Sequence, residues 1–200
     1  MLSVNSNSFS FLKFCILFTN SRAMPSCFNS SVKVVSKAIV YLPSLATNSP
    51  GISSVEISTS SNNISGFLNI LYCAKENNIK KFVYATSSSV YGDETTLPKI
   101  EDKTGNLLSP YALTKLSNEL YAKVFGLNYE INTIGLRYFN VFGPRQDPNS
   151  QYAAVIPKFF NQCFSNQDIT INGDGNQTRD FTYVDNVVQF NLKALNSPIE

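Results

Sequence analysis

The 200-residue chain contains no histidine. That excludes Ser-His-Asp and Cys-His routes to an activated nucleophile and any histidine-ligated metal, and no metal site is expected. Cysteine is scarce: Cys15, Cys27, Cys73 and Cys163 form no C-x-x-C pair. Cys73 and Cys163 fall in apolar helical patterns and read as inert core thiols, so a reducing, cytoplasmic setting is expected. Charge is sparse and nearly balanced, at 15% of residues and +2 net, with no long basic run. A nucleic-acid partner is therefore not expected. Phe9 to Phe18 is apolar but is interrupted by Lys13 and is too short to span a membrane. Its length suits a signal peptide, but no charged segment precedes it, and no membrane association is expected. Glycine is missing from the first fifty positions, Gly51 being the first.

The first 61 residues hold sixteen serines and five charged residues. They read as a poorly specified leader over 1–60. The whole chain, at 43% hydrophobic residues, can bury the core of one domain and a fraction of another. Ala38 to Leu42 reads as a short buried strand ending at Pro43. Ile64, Phe67, Leu68, Leu71 and Ala74 mark a helix to about Asn77. Phe82 to Ala85 is a second strand, with Ser87, Ser88 and Ser89 at its C-terminal end. Ile131 to Phe139 is a third. Alternation of strand and helix predicts a parallel α/β sheet, in which ligands bind beyond the carboxyl ends of strands. Farther on, Val155 to Cys163 suggests a helix. Ile169 to Ile171 and Phe181 to Val184 look like short strands around a Gly173-Asp174-Gly175 turn, and Asp185 can cap a last helix carrying Val188, Leu192 and Leu195.

Ser109 to Lys115 carries the clearest chemistry. Ser109 is a good N-cap, Pro110 suits the first helical position, and Leu113, Leu116, Leu120 and Val124 recur at helical spacing, with Gly126 a plausible stop. Tyr111 and Lys115 then lie one turn apart on one face. A phenol titrating near 10 needs roughly 4 kcal/mol of preference for its phenolate to act as a base near neutrality. An ammonium at ~4 Å supplies about 1 kcal/mol in bulk water and about 4 in a partly desolvated site, so the pair needs a sheltered cleft. Ten tyrosines and twelve lysines predict roughly 0.6 Y-x-x-x-K pairs by chance. Read singly, the serines are a loop, Asn62 a helix cap, Phe139 core, Arg179 an ion partner of Asp180, and Gly173 to Gly175 a turn.

Five segments in one order change that reading. They are Asn62 to Gly66, Ser87 to Gly92 (S-S-S-V-Y-G), Ser109 to Lys115 (S-P-Y-x-x-x-K), Arg137 to Gly143 (R-Y-F-N-V-F-G) and Gly173 to Asp180 (G-D-G-x-x-x-R-D). From about 62 to 196 the chain resembles the extended short-chain dehydrogenase/reductases, and the UDP-sugar 4-epimerases in particular. Arg145 to Pro148 and Tyr152 to Pro157 look most like bacterial UDP-N-acetylglucosamine 4-epimerases.

The resemblance implies a partial Rossmann-type sheet over 61–145 and the start of a smaller nucleotide-sugar domain over 146–200. It implies that Tyr111 accepts the proton of the sugar 4-hydroxyl, that Lys115 lowers its pKa and holds the nicotinamide ribose, and that Ser87 bonds the same hydroxyl. Asn62 and Phe139 would line the NAD site with Tyr111 and Lys115. Ser88, Ser89, Asn140, Gln146 and Arg179 would meet the UDP-sugar, Arg179 as a bidentate diphosphate partner. The family is often homodimeric, and its reaction passes through a 4-keto sugar with NAD regenerated.

The chain departs from the family at its start. No glycine-rich turn seats the NAD pyrophosphate, and no acidic ribose ligand follows it. Tyr41 to Thr47 stands where the family has a His-x-Ala-Ala-type turn. The chain thus reads as a fragment lacking the N-terminal βαβ half. Three functions follow as expectations: a UDP-sugar 4-epimerase or a piece of one, a sibling nucleotide-sugar 4,6-dehydratase, or a non-catalytic remnant. The dehydratase needs an Asp-Glu pair where this chain has Ser88 and Ser89.

Overall fold

The computed structural model describes residues 38–41, 61–147 and 155–198. Apart from 38–41, the predicted leader lies outside the described residues, as do Cys15, Cys27 and Leu42. The chain divides into two compact units, one running to Arg137 and resuming at Ala194, the other Tyr138–Lys193.

The first unit is a parallel α/β layer, as the alternation predicts. Strand β1 (Ala38–Tyr41) pairs parallel with β2 (Lys81–Ser87), Ile39 opposite Phe82. Strand β3 (Asn132–Tyr138) completes the order β1-β2-β3. As the central strand, β2 is buried from Lys81 to Thr86, which is why it reads as a continuous apolar run rather than an alternation. Between β1 and β2 the chain makes a π-helical turn (Ser61–Ser65) that runs into helix α1 (Gly66–Glu76). Phe67, Ile70, Leu71 and Ala74 of α1 pack on Phe82 and Tyr84, with Ala122 and Ile131 completing the core. The Phe67 ring meets Phe82 edge-on at 5.8 Å and Tyr84 at 5.1 Å. Burying each large apolar side chain contributes roughly 1.5–3 kcal/mol.

Helix α2 spans Pro110–Tyr129, past the stop expected at Gly126. A Cβ on Gly126 would lie 3.2 Å from the Ile131 carbonyl oxygen. Its glycine serves a close approach to the returning chain, and the helix ends instead at Glu130, whose φ of 55° is left-handed. The Leu113, Leu120 and Val124 side chains are exposed, whereas Ala112, Thr114, Lys115, Asn118 and Ala122 are buried. The helix therefore turns its small and polar face inward. After β2, a 3₁₀ turn (Ser88–Tyr91) leads to Gly92 at φ 60°, where a Cβ would fall 2.0 Å from the Asn106 carbonyl oxygen. Asp93 accepts from the Asn106 backbone and side chain at 2.7 and 3.1 Å, pinning the polar loop that leads to α2.

In the second unit, β4 (Asn140–Phe142) pairs parallel with β5 (Phe181–Tyr183). The Phe142 ring contacts Phe181 and Tyr183, with centroids 6.2 and 5.5 Å apart. Helices α3 (Val155–Phe164) and α4 (Val184–Asn196) follow the predicted positions. Three expectations are corrected. Ile169 to Ile171 forms no strand, because β4 is the partner that Phe181–Tyr183 takes, and both isoleucines are exposed. Asp185 lies inside the first turn of α4, where its carboxylate favours the helix dipole, rather than at the cap. Cys163 is exposed and Cys73 half-buried, so neither is a core thiol. Among the described residues no helix is long and apolar enough to cross a membrane.

Candidate functional site

The first unit brings Ser87, Tyr111 and Lys115 together where β2 ends and α2 begins. Ser109 caps α2 with extended backbone (φ −155°), its Oγ accepting the Ala112 N–H at 3.2 Å, and Pro110 fills the first position. This starts the helix one residue before Tyr111. Ser87 is both the last residue of β2 and the cap of the 3₁₀ turn. Its Oγ accepts from the Ser89 N–H at 3.2 Å and from the Ser89 hydroxyl at 3.0 Å. With those acceptor positions filled, its own proton is free to turn to the Tyr111 phenol oxygen, whose ionised form the nearby Ser87 hydroxyl favours. Ser88 lies in the same turn, half-buried.

Lys115 is 3% exposed, and its Nζ donates to the Ala85 carbonyl at 3.3 Å and stands 5.7 Å from the Tyr111 ring centroid. Burial pushes its ammonium down to about 8. Burial likewise pushes the Tyr111 phenol above its ordinary value, while the neighbouring Ser87 hydroxyl pulls the other way. The Ser87 hydroxyl and the Lys115 ammonium thus both stand where they can favour the phenolate. Both members of the pair are held toward their uncharged forms.

Asn62 is half-buried in the π-helical turn. Its neighbour Asn63 is turned inward, 5% exposed, and its Nδ2 donates to Thr114 Oγ1 at 3.1 Å. Thr114 Oγ1 in turn donates to the Tyr111 carbonyl at 2.8 Å. This two-bond link ties the turn to the start of α2. Two adjacent asparagines leave the inward one undetermined from sequence; the helical register of α1, with Phe67 and Ile70 inward at Asn63 plus four and plus seven, is the signal that selects it. One turn beyond Lys115, Asn118 is fully buried, with neither amide atom partnered among the described residues.

Phe139, Asn140, Gln146 and Arg179 belong to the second unit. Phe139 is half-buried between β3 and β4. Asn140 donates its backbone N–H and its Nδ2 to the Asp180 carbonyl, at 3.1 and 3.0 Å. Gln146 donates Nε2 to the Val141 carbonyl at 3.3 Å, and its buried Oε1 has no partner among the described residues. Arg179 is exposed and bonds the Thr178 carbonyl and Gln177 Oε1 rather than pairing with Asp180. Gly173 and Gly175 take positive φ around Asp174, which accepts twice from Asn176.

A parallel α/β layer with helices joining its strands defines a Rossmann-type fold. The chain belongs to the NAD dependent epimerase/dehydratase family, whose model matches residues 32–200. Among solved structures it is similar to the UDP-N-acetylglucosamine 4-epimerase of Methanobrevibacter ruminantium in complex with UDP-N-acetylmuramic acid. Identity is 41% and the TM-score 0.74, over 80% of this chain and 52% of that one. It is also similar to the UDP-glucuronic acid 4-epimerase of Bacillus cereus in complex with UDP-glucuronic acid and NAD. There identity is 34% and the TM-score 0.68, over 80% and 50% of the two chains. Protein CapI of Staphylococcus aureus is 42% identical over 137 residues, 68% of this chain and 40% of that protein. The chain spans about two fifths of the length of the curated relatives it matches.

Proposed function

We propose that the chain carries the proton-transfer site and part of the sugar-nucleotide site of an NAD-dependent UDP-hexose 4-epimerase, with UDP-N-acetylglucosamine and UDP-N-acetylgalactosamine as its substrates. The buried Lys115, with its Nζ 5.7 Å from the Tyr111 ring and Ser87 beside the phenol, carries this reading. Tyr111 Oη takes the proton of the sugar 4-hydroxyl and returns it after the 4-keto sugar has turned over. Ser87 Oγ–H stabilises the phenolate that forms, and the water-poor setting strengthens that bond. NAD, when bound, supplies the hydride acceptor and donor for C4. The donor set fits its nicotinamide end. Lys115 carries three N–H bonds, and among the described residues one of them is directed at Ala85, leaving donors for ribose hydroxyls. Asn62 and Phe139 are assigned to the same cofactor. Asn140 and Arg179 are assigned to the UDP portion, and the unpartnered Gln146 Oε1 is an acceptor suited to an N-acetyl N–H.

The dehydratase alternative needs a carboxylate pair beside Ser87. Ser88 and Ser89 occupy that turn, and Ser89 directs its hydroxyl to Ser87. In a chimera that supplies a glycine-rich NAD half to residues 61–200, we expect interconversion of the two N-acetylhexosamine nucleotides and no 4-keto-6-deoxy sugar. Mass spectrometry of the products decides: a stable 4-keto-6-deoxy product rejects the epimerase reading, and absence of any turnover favours the remnant.

A homodimer belongs to the same reading. Leu113, Leu120, Val124 and Leu127 form an exposed stripe on α2, each more than half exposed. Leu120→Glu is expected to convert the dimer to a monomer in sedimentation velocity. An unchanged species would place the interface elsewhere.

A further inference from the structure

We propose that Glu119 and Arg137 form a positioning pair that holds the serine turn against α2 so that Ser87 stays turned toward Tyr111. The proposal rests on the assignment of Tyr111 as the proton acceptor, although its test does not require turnover. Three residues on one face of α2, at i, i+4 and i+8, meet the last three residues of β2. Tyr111 faces Ser87, Lys115 bonds the Ala85 carbonyl at 3.3 Å, and Glu119 Oε1 accepts from Thr86 Oγ1 at 2.6 Å. The first two rungs are the reacting groups themselves. The third is farthest from the chemistry and is the one locked from outside.

Arg137, on the neighbouring strand β3, grips the Glu119 carboxylate with both prongs, Nε to Oε1 at 3.0 Å and Nη2 to Oε2 at 2.8 Å. Both side chains are largely buried, at 15% and 17% exposed, so this planar two-point contact is little screened by solvent. The same guanidinium stacks on the Tyr91 ring at 4.7 Å and donates Nη1 to the Glu101 carbonyl at 2.9 Å. Tyr91 ends the 3₁₀ turn that Ser87 caps. The pair therefore holds both elements that present Ser87 and Tyr111 to each other, the helix through Glu119 and the serine turn through Tyr91 and Thr86. Among the described residues no hydrogen bond or ion pair joins either residue to the phenol, so each acts through the turn that carries Ser87.

The test uses the full 200-residue chain labelled with 3-fluorotyrosine, whose phenol titrates at a lower pH than tyrosine. The Tyr111 ¹⁹F resonance is assigned by its loss in Tyr111→Phe. Ser87→Ala sets the reference, the upward movement of the Tyr111 midpoint when the donor is removed. Glu119→Gln and Arg137→Lys are expected to move it upward by at least half that amount, with cooperative thermal melts retained. An unmoved midpoint in either folded variant overturns the proposal. Loss of the melt in both variants also overturns it, making the pair an element of stability alone. If Ser87→Ala itself leaves the midpoint in place, the Ser87–Tyr111 bond fails and the positioning role fails with it. Normal titration with inactivity of the chimera would instead count against the proposed function.

Discussion

Tyr111→Phe in the chimera is expected to abolish epimerisation while leaving UDP-sugar binding within a few-fold of the parent. The substitution removes one oxygen from a half-buried ring and keeps the ring itself, so α2 and the turn it faces should be undisturbed. What is lost is the acceptor for the 4-hydroxyl proton. Proton transfer by a positioned side chain contributes about 10²–10⁴-fold, and turnover should fall by at least that much. Ser87 cannot substitute for the phenol, because its acceptor positions are occupied by Ser89 and an alkoxide is far less accessible than a phenolate. Steady-state turnover and calorimetric binding of the UDP-sugar separate the two effects. Activity within tenfold of the parent would remove Tyr111 from the chemistry.

Lys115→Met is expected to make the chain more stable as it makes it inactive. The Lys115 ammonium titrates at about 8 against an ordinary value of 10.5. Each unit of depression corresponds to 1.36 kcal/mol, so keeping this charge buried costs about 3 kcal/mol at neutral pH. The sign follows from proton counting. Below about pH 8 both folded and unfolded chains carry the proton, and the full cost is present. Between about 8 and 10.5 the folded chain has released it while the unfolded chain still holds it, so stability rises with pH. The parent should therefore gain about 2 kcal/mol between pH 7 and pH 9.5, below the range in which the buried phenols titrate. Lys115→Met should start higher by about 3 kcal/mol and lack the rise that Lys115 contributes across that window. Urea unfolding of both proteins at the two pH values measures this. A parent whose stability is flat with pH, or a methionine variant weaker than the parent at pH 7, would mean that the Ala85 contact compensates the buried charge fully. A destabilising cation retained beside Tyr111 is what a functional site, rather than a core, would keep.

The site was more legible in the sequence than the packing around it. Tyr111 and Lys115 share a face because four residues make slightly more than a turn, and Ser87 ends a strand because the apolar run from Phe82 stops there. Local rules suffice for both. The inward face of α2 follows from no local rule. Its leucines recur at helical spacing, yet Leu113, Leu120 and Val124 point outward, and Thr114, Lys115 and Asn118 point in. Burying such groups becomes tolerable when distant partners arrive, Asn63 for Thr114 and Ala85 for Lys115. Those partners lie 51 and 30 residues away. Gly126 misled for the same reason, since its role is set by Ile131 coming back past the helix. In the second unit the pattern weakens because its strands are three residues long. Ile169 to Ile171 carries a β-type composition but finds no partner strand, and Phe181 to Tyr183 pairs with a segment 41 residues earlier.

That pairing gives any ligand of the second unit a second role. Asn140 and Asp180 are joined across 40 residues of chain, and three residue pairs hold the closure. Closing a loop of that length costs on the order of 3 kcal/mol beyond a fixed term. A parallel ribbon this short returns little of it until its neighbours are in place. A diphosphate engaging both Asn140 and Arg179 would tie the two ends of the loop. At a hundredfold excess over its Kd it would add about 2.7 kcal/mol, comparable to the closure cost itself. On the proposed function the UDP moiety would act as a removable cross-link, and the melting temperature of this unit would report its nucleotide supply.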